Sequence, residues 1–237
     1  MKMKKQTKTV VCFGDSNTWG YIPVRERENE EIAERYPRDV RWPGALSALL
    51  GDEYHVVEDG LNGRTTAFND VIGKYRDGAK YLGECLTANK PVDLLIIMLG
   101  SNDTKRRFMA SSQVIAKGID KLIRVARSGG VTKSSGFGPG GGQPKILIIS
   151  PVRLREELLE SFLKIEFDQN SIQKSNELGE LFFGITRRRH CYYMNAAVYS
   201  RYSETDGLHL DAENHGKLGL AMAVKVKEIF SNSDSSL

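Results

Sequence analysis

Polar segments that directly follow apolar runs contain residues able to carry out nucleophilic catalysis. The run TVVCF is followed by Gly-Asp-Ser-Asn, which contains Ser16. Near the other end of the chain, the segment TDGLHLD places Asp206 three residues before His209. A serine nucleophile needs a base that a third group orients, and a carboxylate beside an imidazole provides both. These residues predict Ser16 as nucleophile, His209 as base and then acid, and Asp206 as the group that fixes the histidine tautomer.

Two further segments offer hydrogen-bond donors for a developing oxyanion. Asn102 in LGSND has a side-chain amide, Gly63 in NGRTT has a backbone N–H, and Ser16 has its own backbone N–H. Such donors usually make the largest electrostatic contribution to acyl transfer. Each segment alone is equally typical of a turn, as is Gly-Asp-Ser, so the prediction depends on all of them meeting at one place.

The choice of His209 among the four histidines follows by elimination. His55 begins an apparent strand, His190 ends an apparent helix, and His215 falls in the first turn of the last helix. We predict structural roles for these three. Trp19 and Tyr21, just beyond the serine, can line an apolar approach for short acyl chains and aryl or alkyl leaving groups, although packing of Trp19 against a helix is an equally open interpretation.

The elements that must position these residues alternate between strands and helices. Five apolar runs read as strands: TVVCF, YHVVE, VDLLIIML, KILIIS and CYYMN. Strands that are apolar throughout, with helical spacing between them, are typical of a parallel sheet covered on both faces. We predict an α/β fold, a three-layer α/β/α sandwich with a five-stranded parallel sheet of the flavodoxin-like kind. Ligands bind at the carboxyl ends of such strands, where all the polar segments lie.

Other segments interrupt this alternation. The charge-rich VRERENEEIAERYPRDVRW predicts a solvated loop with a short helix, and a last helix is expected to begin after Asp211 as N-cap. The glycine-rich segment 129–144 predicts a flexible connection, because it lacks the Lys-Ser or Lys-Thr pair of a phosphate-binding loop. Segment 152–170, which mixes apolar and charged residues, either covers the site or makes a subunit contact.

Composition limits the class of protein. The 237 residues, 40% hydrophobic and 27% charged, predict a single domain over 1–237 with no membrane partner. A net charge of +4 is mild, and the basic run at 187–189 is read as a helix C-terminus, so no nucleic-acid partner is expected. The basic start shows no secretory signal, so we expect a cytoplasmic protein. Three widely spaced cysteines indicate neither disulfides nor zinc, and we expect no cofactor or metal.

Together, the polar segments resemble the conserved blocks of the SGNH hydrolases, also called the GDSL family of esterases and lipases. FGDSNTWG is similar to the serine block, GLNGRTT to the glycine block, MLGSND to the asparagine block and DGLHLD to the block with Asp and His. The likeness is greatest to the bacterial arylesterase and acyltransferase subgroup, through CFGDSNTWGYIPV, DVRWPG and IIMLGSNDTK. The resemblance implies the triad Ser16, His209 and Asp206, an oxyanion hole of Gly63, Asn102 and the Ser16 N–H, and a homo-oligomer.

The chain also departs from the family pattern. Asn17 stands where the family name has leucine, which we expect to affect the turn or the pocket wall, so Asn17 joins Trp19 and Tyr21 as a candidate substrate contact. Gly60 is a second glycine in the glycine block, and Gly63 is preferred because it immediately precedes RTT.

We therefore expect a serine esterase that hydrolyses short-chain aryl or alkyl esters through an acyl-enzyme and also transfers acyl groups to alcohols. Its activity should fall as the base histidine takes up a proton. One alternative is an O-acetyl esterase of the same family that acts on carbohydrates or other small molecules. A metal-dependent hydrolase with Asp206, His209, Asp211 and His215 as ligands and a non-catalytic flavodoxin-like binding protein are rivals from other classes.

Overall fold

The predicted apolar runs form the strands of one parallel sheet. In the computed structural model, which describes residues 7–26, 33–129 and 136–234, these strands are β1 (Lys8–Gly14), β2 (Tyr54–Gly60), β3 (Leu94–Met98), β4 (Lys145–Ser150) and β5 (Tyr192–Asn195). Their spatial order is β2-β1-β3-β4-β5, and every neighbouring pair is parallel. This is the flavodoxin-like order. The predicted sheet is confirmed.

Helices cover both faces of the sheet. They are α1 (Ser16–Trp19), α2 (Trp42–Leu50), α3 (Gly78–Asn89), α4 (Ser112–Arg127), α5 (Gln169–Arg189) and α6 (Ala212–Asp234). Alternate residues of β1 point to opposite faces, so Val10 and Cys12 pack with α2 and α6, whereas Val11 and Phe13 pack with α3, α4 and α5. Two apolar cores result, and the three-layer α/β/α sandwich is confirmed.

Helix ends follow the capping chemistry that the sequence indicates. Oδ1 of Asp211 accepts the N–H of Asn214 at 2.8 Å, which places the start of α6 where it was expected. At the other end of a helix, the basic run 187–189 forms the last turn of α5, and His190 ends it in the left-handed conformation. Cations are favourable at this position, so the structural interpretation of the run holds.

The segments between these elements include short 3-10 helices at Asn102–Thr104, Arg106–Phe108, Pro139–Gly141, Glu156–Glu160, Phe162–Ile165 and Ala196–Val198. The charge-rich segment, for which a short helix is predicted, lies partly outside the described residues, at 27–32. Part of the glycine-rich segment, at 130–135, also lies outside them. Within the described ranges, no helix is both long and apolar enough to cross a membrane. The single domain over 1–237 stays a prediction.

The packing of α2 on α6 gives a direct test of this layer arrangement. The helices approach so closely that a Cβ on Gly219 would lie 2.8 Å from Cβ of Ala45. Leu46 is fully buried in this contact and Leu49, on the same helix, is 42% exposed. Leu46→Ala should lower the free energy of unfolding by about 2–5 kcal/mol through the cavity it leaves. Leu49→Ala should change it by about 0.5 kcal/mol or less in urea denaturation, and equal losses would contradict the packing.

Candidate active site

Ser16, His209 and Asp206 form a continuous series of hydrogen-bonding side chains at the C-terminal edge of the sheet. Nε2 of His209 lies 3.0 Å from Oγ of Ser16, and Nδ1 lies 2.6 Å from Oδ2 of Asp206. All three residues are buried. When Nδ1–H donates to the carboxylate, Nε2 is free to accept the serine O–H, which is the arrangement a general base requires.

The serine lies in a sharp turn between β1 and α1. Asp15 caps α1, because its Oδ1 accepts the N–H of Asn17 at 2.9 Å. A Cβ on Gly14 would lie 2.0 Å from Oγ1 of Thr18, so only glycine fits at the end of the strand. Burial raises the pKa of the Asp15 carboxyl to about 6. The turn therefore presents Ser16 at the edge of the sheet.

The loop before α6 holds the acid and the base in one local structure. Oδ1 of Asp206 accepts the N–H of Leu208 at 3.0 Å and that of His209 at 2.9 Å. Gly207 has a φ of +70°, and a Cβ there would lie 2.5 Å from the backbone N of Leu158. Because one Asp206 oxygen binds the backbone, the other is left to orient the imidazole.

Asn17 ties this loop to the serine turn. Its Nδ2 donates to the carbonyl of Leu208 at 3.1 Å, and its Oδ1 accepts the N–H of Leu210 at 2.9 Å. The two partners flank His209 directly. Both polar atoms of its buried side chain bind backbone and it does not line the cleft, so the geometry favours a positioning role over the predicted substrate contact.

Asn102 and Gly63 lie beside Ser16 in the cleft. Nδ2 of Asn102 donates one hydrogen to the carbonyl of Arg64 at 3.2 Å, which leaves its second hydrogen for a ligand. Among the described residues, the backbone N–H groups of Ser16 and Gly63 have no hydrogen-bond partner. Gly60 faces the backbone of α1 instead and does not line the cleft, so the geometry favours Gly63.

Asp103, which the sequence analysis did not single out, joins the glycine and asparagine segments. Its carboxylate accepts the N–H of Thr66 at 2.9 Å and the hydroxyl of the same residue. Burial raises the pKa of Asp103 to about 7, against the opposing effect of the Thr66 hydrogen bonds. Because Asp103 follows Asn102, this contact sets the distance between the segments that carry the oxyanion donors.

The cleft above Ser16 has a volume of about 340 Å³. Its apolar lining includes Tyr21, Ile72, Phe162, Leu163, Ile165 and Phe167. Segment 152–170 therefore contributes one wall of the cleft, while its role in a subunit contact stays a prediction. The ring of Tyr21 stacks on that of His209, with centroids 4.2 Å apart.

Trp19 does not line this cleft. The guanidinium of Arg35 lies over its ring, 5.0 Å from the centroid, and Nε of the same arginine donates to the Trp19 carbonyl. Of the two interpretations that the sequence left open for Trp19, the geometry favours packing, because an arginine of the same chain covers one face of its ring.

The residues of the alternative metal site are used in other ways. Nδ1 of His215 accepts the N–H of Trp42 at 3.3 Å, and burial lowers the pKa of His215 to about 3. Asp211 caps α6, and Asp206 pairs with His209. In the part of the chain that the structure describes, no three His, Cys, Asp or Glu side chains are grouped so that they could hold a metal ion.

Comparisons with known proteins identify the family and agree with the fold. The model of the GDSL-like lipase/acylhydrolase family matches residues 12–216. The chain is similar to the structure of a carbohydrate acetylesterase from Sinorhizobium meliloti, with 36% identity, a TM-score of 0.82, and coverage of 94% of this chain and 100% of that chain. It is also similar to the native aryl esterase of M. smegmatis, with 34% identity, a TM-score of 0.81, and coverage of 94% and 99%. No curated protein sequence matches significantly.

The variant Asn17→Ala tests the hydrogen bonds that link the serine turn to the loop of His209. We expect kcat to fall about 10- to 100-fold, because the loop that carries His209 loses two hydrogen bonds and small misplacements of catalytic groups are costly. KM should change little, since Asn17 does not line the cleft. The control is Asn89→Ala, which removes a side-chain bond to the Cys85 carbonyl at the end of α3. Equal kcat values for the two variants would contradict this role.

The raised pKa of Asp103 predicts a pH dependence of stability. Its folded-state pKa of about 7 lies above the ordinary value near 4 of an unfolded chain, so the folded state binds more protons between these pH values. The free energy of unfolding should therefore decrease as pH rises through this window, by on the order of a few kcal/mol. Asp103→Asn should reduce that slope in urea denaturation across the same pH range, and the part that remains comes from Asp15, whose pKa is also raised. An unchanged slope would show that Asp103 titrates normally.

Proposed function

The chain belongs to the GDSL-like lipase/acylhydrolase family and is an ester-hydrolysing enzyme, and we propose that it acts on short-chain carboxylic esters through a covalent acyl-enzyme on Ser16. The resemblance to SGNH hydrolases is thereby confirmed. One observation carries the proposal: the buried His209 ring bridges Oγ of Ser16 and the Asp206 carboxylate. Only a nucleophile, its base and the group that orients the base need this arrangement.

The first half of the reaction acylates the serine. Nε2 of His209 takes the Ser16 proton as Oγ attacks the ester carbonyl carbon, and Asp206 stabilises the imidazolium that forms. The oxyanion accepts hydrogen bonds from the free Asn102 amide hydrogen and from the unpaired N–H groups of Gly63 and Ser16. When the intermediate collapses, the C–O bond to the leaving group breaks and His209 gives that oxygen the proton. The alcohol departs and the acyl group remains on Oγ.

The second half releases the acyl group. A water molecule gives a proton to Nε2 of His209 and attacks the acyl carbon, and collapse returns the proton to Ser16 as the carboxylic acid leaves. An alcohol in place of water forms a new ester. The apolar wall of Phe162, Leu163 and Ile165 supports such transfer, because it favours an alcohol over water next to the acyl-enzyme.

The size of the cleft favours small substrates. About 340 Å³ holds a short acyl chain with an aryl or alkyl leaving group, and not a long lipid chain. A carbohydrate O-acetyl ester is a second candidate, favoured by the likeness to an acetylesterase of that kind and by the polar Asn62, which also lines the cleft.

We further propose a cytoplasmic homo-oligomer. All three cysteines are free, and Cys12 and Cys85 are buried as apolar side chains, which fits a reducing compartment. The side chains of Val198, in the 3-10 helix after β5, and of Leu220 and Val224, on α6, are exposed, and a second copy would cover them. The free cysteines and the exposed apolar side chains require no membrane or nucleic-acid partner.

Replacement of the nucleophile tests the proposal. Ser16→Ala should reduce hydrolysis of a short-chain aryl acetate by at least about 10³-fold, because the covalent route is lost. The assay contains a chelator and is repeated with added alcohol, so that the ratio of new ester to free acid measures acyl transfer.

Ser150→Ala is the matched control. Ser150 is also a buried serine at the end of a strand, but its hydroxyl bonds Tyr193 and Asn195 away from the cleft. Its variant should keep the wild-type rate. Equal rates for Ser16→Ala and the wild type would refute the serine mechanism.

A further inference from the structure

A series of five side chains of alternating charge runs along one wall of the cleft, and three of them, Lys105, Glu166 and Arg76, line it. In order of contact they are Lys105, Glu166, Arg107, Asp70 and Arg76. Nζ of Lys105 lies 2.6 Å from Glu166, which also pairs with Arg107, and Asp70 accepts from Arg107 at 2.7 Å and from Arg76 at 3.1 Å. Each carboxylate is thus shared by two cations. The catalytic steps above use none of these five groups.

The two ends of this series are its cations that line the cleft. Lys105 and Arg76 both line the cleft, and each has a single carboxylate partner among the described residues. Lys105 is 5% exposed and follows Asn102 by three residues. Arg76 packs against the other oxyanion segment, since a Cβ on Gly63 would lie 2.7 Å from its Nε. Both cations therefore flank the site where the ester carbonyl must lie.

The charge of the series does not cancel. Three cations face two carboxylates, and each carboxylate is already bonded to two of the cations. Glu166 is the only carboxylate among the described residues that line the cleft. A buried lysine has three N–H donors and an arginine five, so both terminal cations keep donors that their one partner does not use.

We propose that this wall binds an anion of the substrate, so that the preferred esters carry a carboxylate group close to the scissile bond. This inference rests on the proposed function, and it adds a substrate class to it. A carboxylate in the cleft would become the third anion of the series and balance the three cations. It would accept hydrogen bonds from Arg76 and Lys105, and charge-assisted bonds in a partly dry cleft are the stronger kind.

The experiment compares pairs of esters that differ in charge and little in shape. Monomethyl succinate and methyl butyrate place the charge in the acyl group, while para-acetoxybenzoate and para-acetoxybenzamide place it in the leaving group. In at least one pair, kcat/KM should be about tenfold higher for the anionic ester, the size of one charge-assisted hydrogen bond.

The variant Arg76→Gln tests the origin of the preference. It should lower the ratio of anionic to neutral kcat/KM to near unity, a readout that a loss of overall activity does not move. Arg124→Gln is the matched control, since Arg124 also pairs with a carboxylate but lies on α4 outside the cleft. Its ratio should equal that of the wild type.

The possible failures are distinguishable. Neutral esters hydrolysed as fast as or faster than both anionic esters, with Ser16 still essential, would overturn the anion site and leave the proposed function intact. An anionic preference that survives in Arg76→Gln would also overturn it. If the wild type hydrolyses neither kind of ester, the proposed function fails as well.

Discussion

A serine near the start of the chain and a histidine near its end must stay within hydrogen-bond distance, and the geometry of the site depends on this one contact. Nε2 of His209 lies 3.0 Å from Oγ of Ser16, although 193 positions separate the two residues. The parallel sheet brings their segments to the same edge but cannot set the distance between two loops. Asn17 does so, because its amide bonds the backbone on both sides of His209. The proposed base is thereby held by the residue that follows the proposed nucleophile.

Buried carboxyl groups hold the other loops at this edge of the sheet in the same way, by hydrogen bonds to backbone. Asp15 caps the serine helix, Asp206 shapes the loop of the base, and Asp103 binds Thr66 across the two oxyanion segments. A buried carboxyl destabilises the fold unless it is hydrogen-bonded, and the raised pKa values of Asp15 and Asp103 reflect that cost. The hydrogen bonds to these carboxyl groups fix the backbone donors of the loops before substrate binds. Catalysis through an oxyanion hole depends on such preorganisation.

The sequence predicts the sheet correctly, and it selects three side chains that lie within hydrogen-bond distance of one another, because both leave local signals. Apolar runs such as LLIIM at β3 can only be buried strands in this context, and four short motifs place their polar residues at strand ends. The contacts of Asn17 and Trp19 could not be predicted, because their partners, Leu208 and Arg35, are identified only by tertiary structure. The charged wall was missed for the same reason, since its members come from three separate segments and each reads alone as an ordinary surface charge.

Covalent trapping tests the central claim most directly. A small aryl phosphonate, which resembles the tetrahedral intermediate and is released slowly, is incubated with the wild type and with Asp206→Asn, and the labelled peptide is identified by mass spectrometry. We predict one phosphonyl group per chain on Ser16, loss of esterase activity in proportion to labelling, and much slower labelling in Asp206→Asn. Full labelling of Ser16 with activity retained, or inactivation with the label on another residue, would contradict the account.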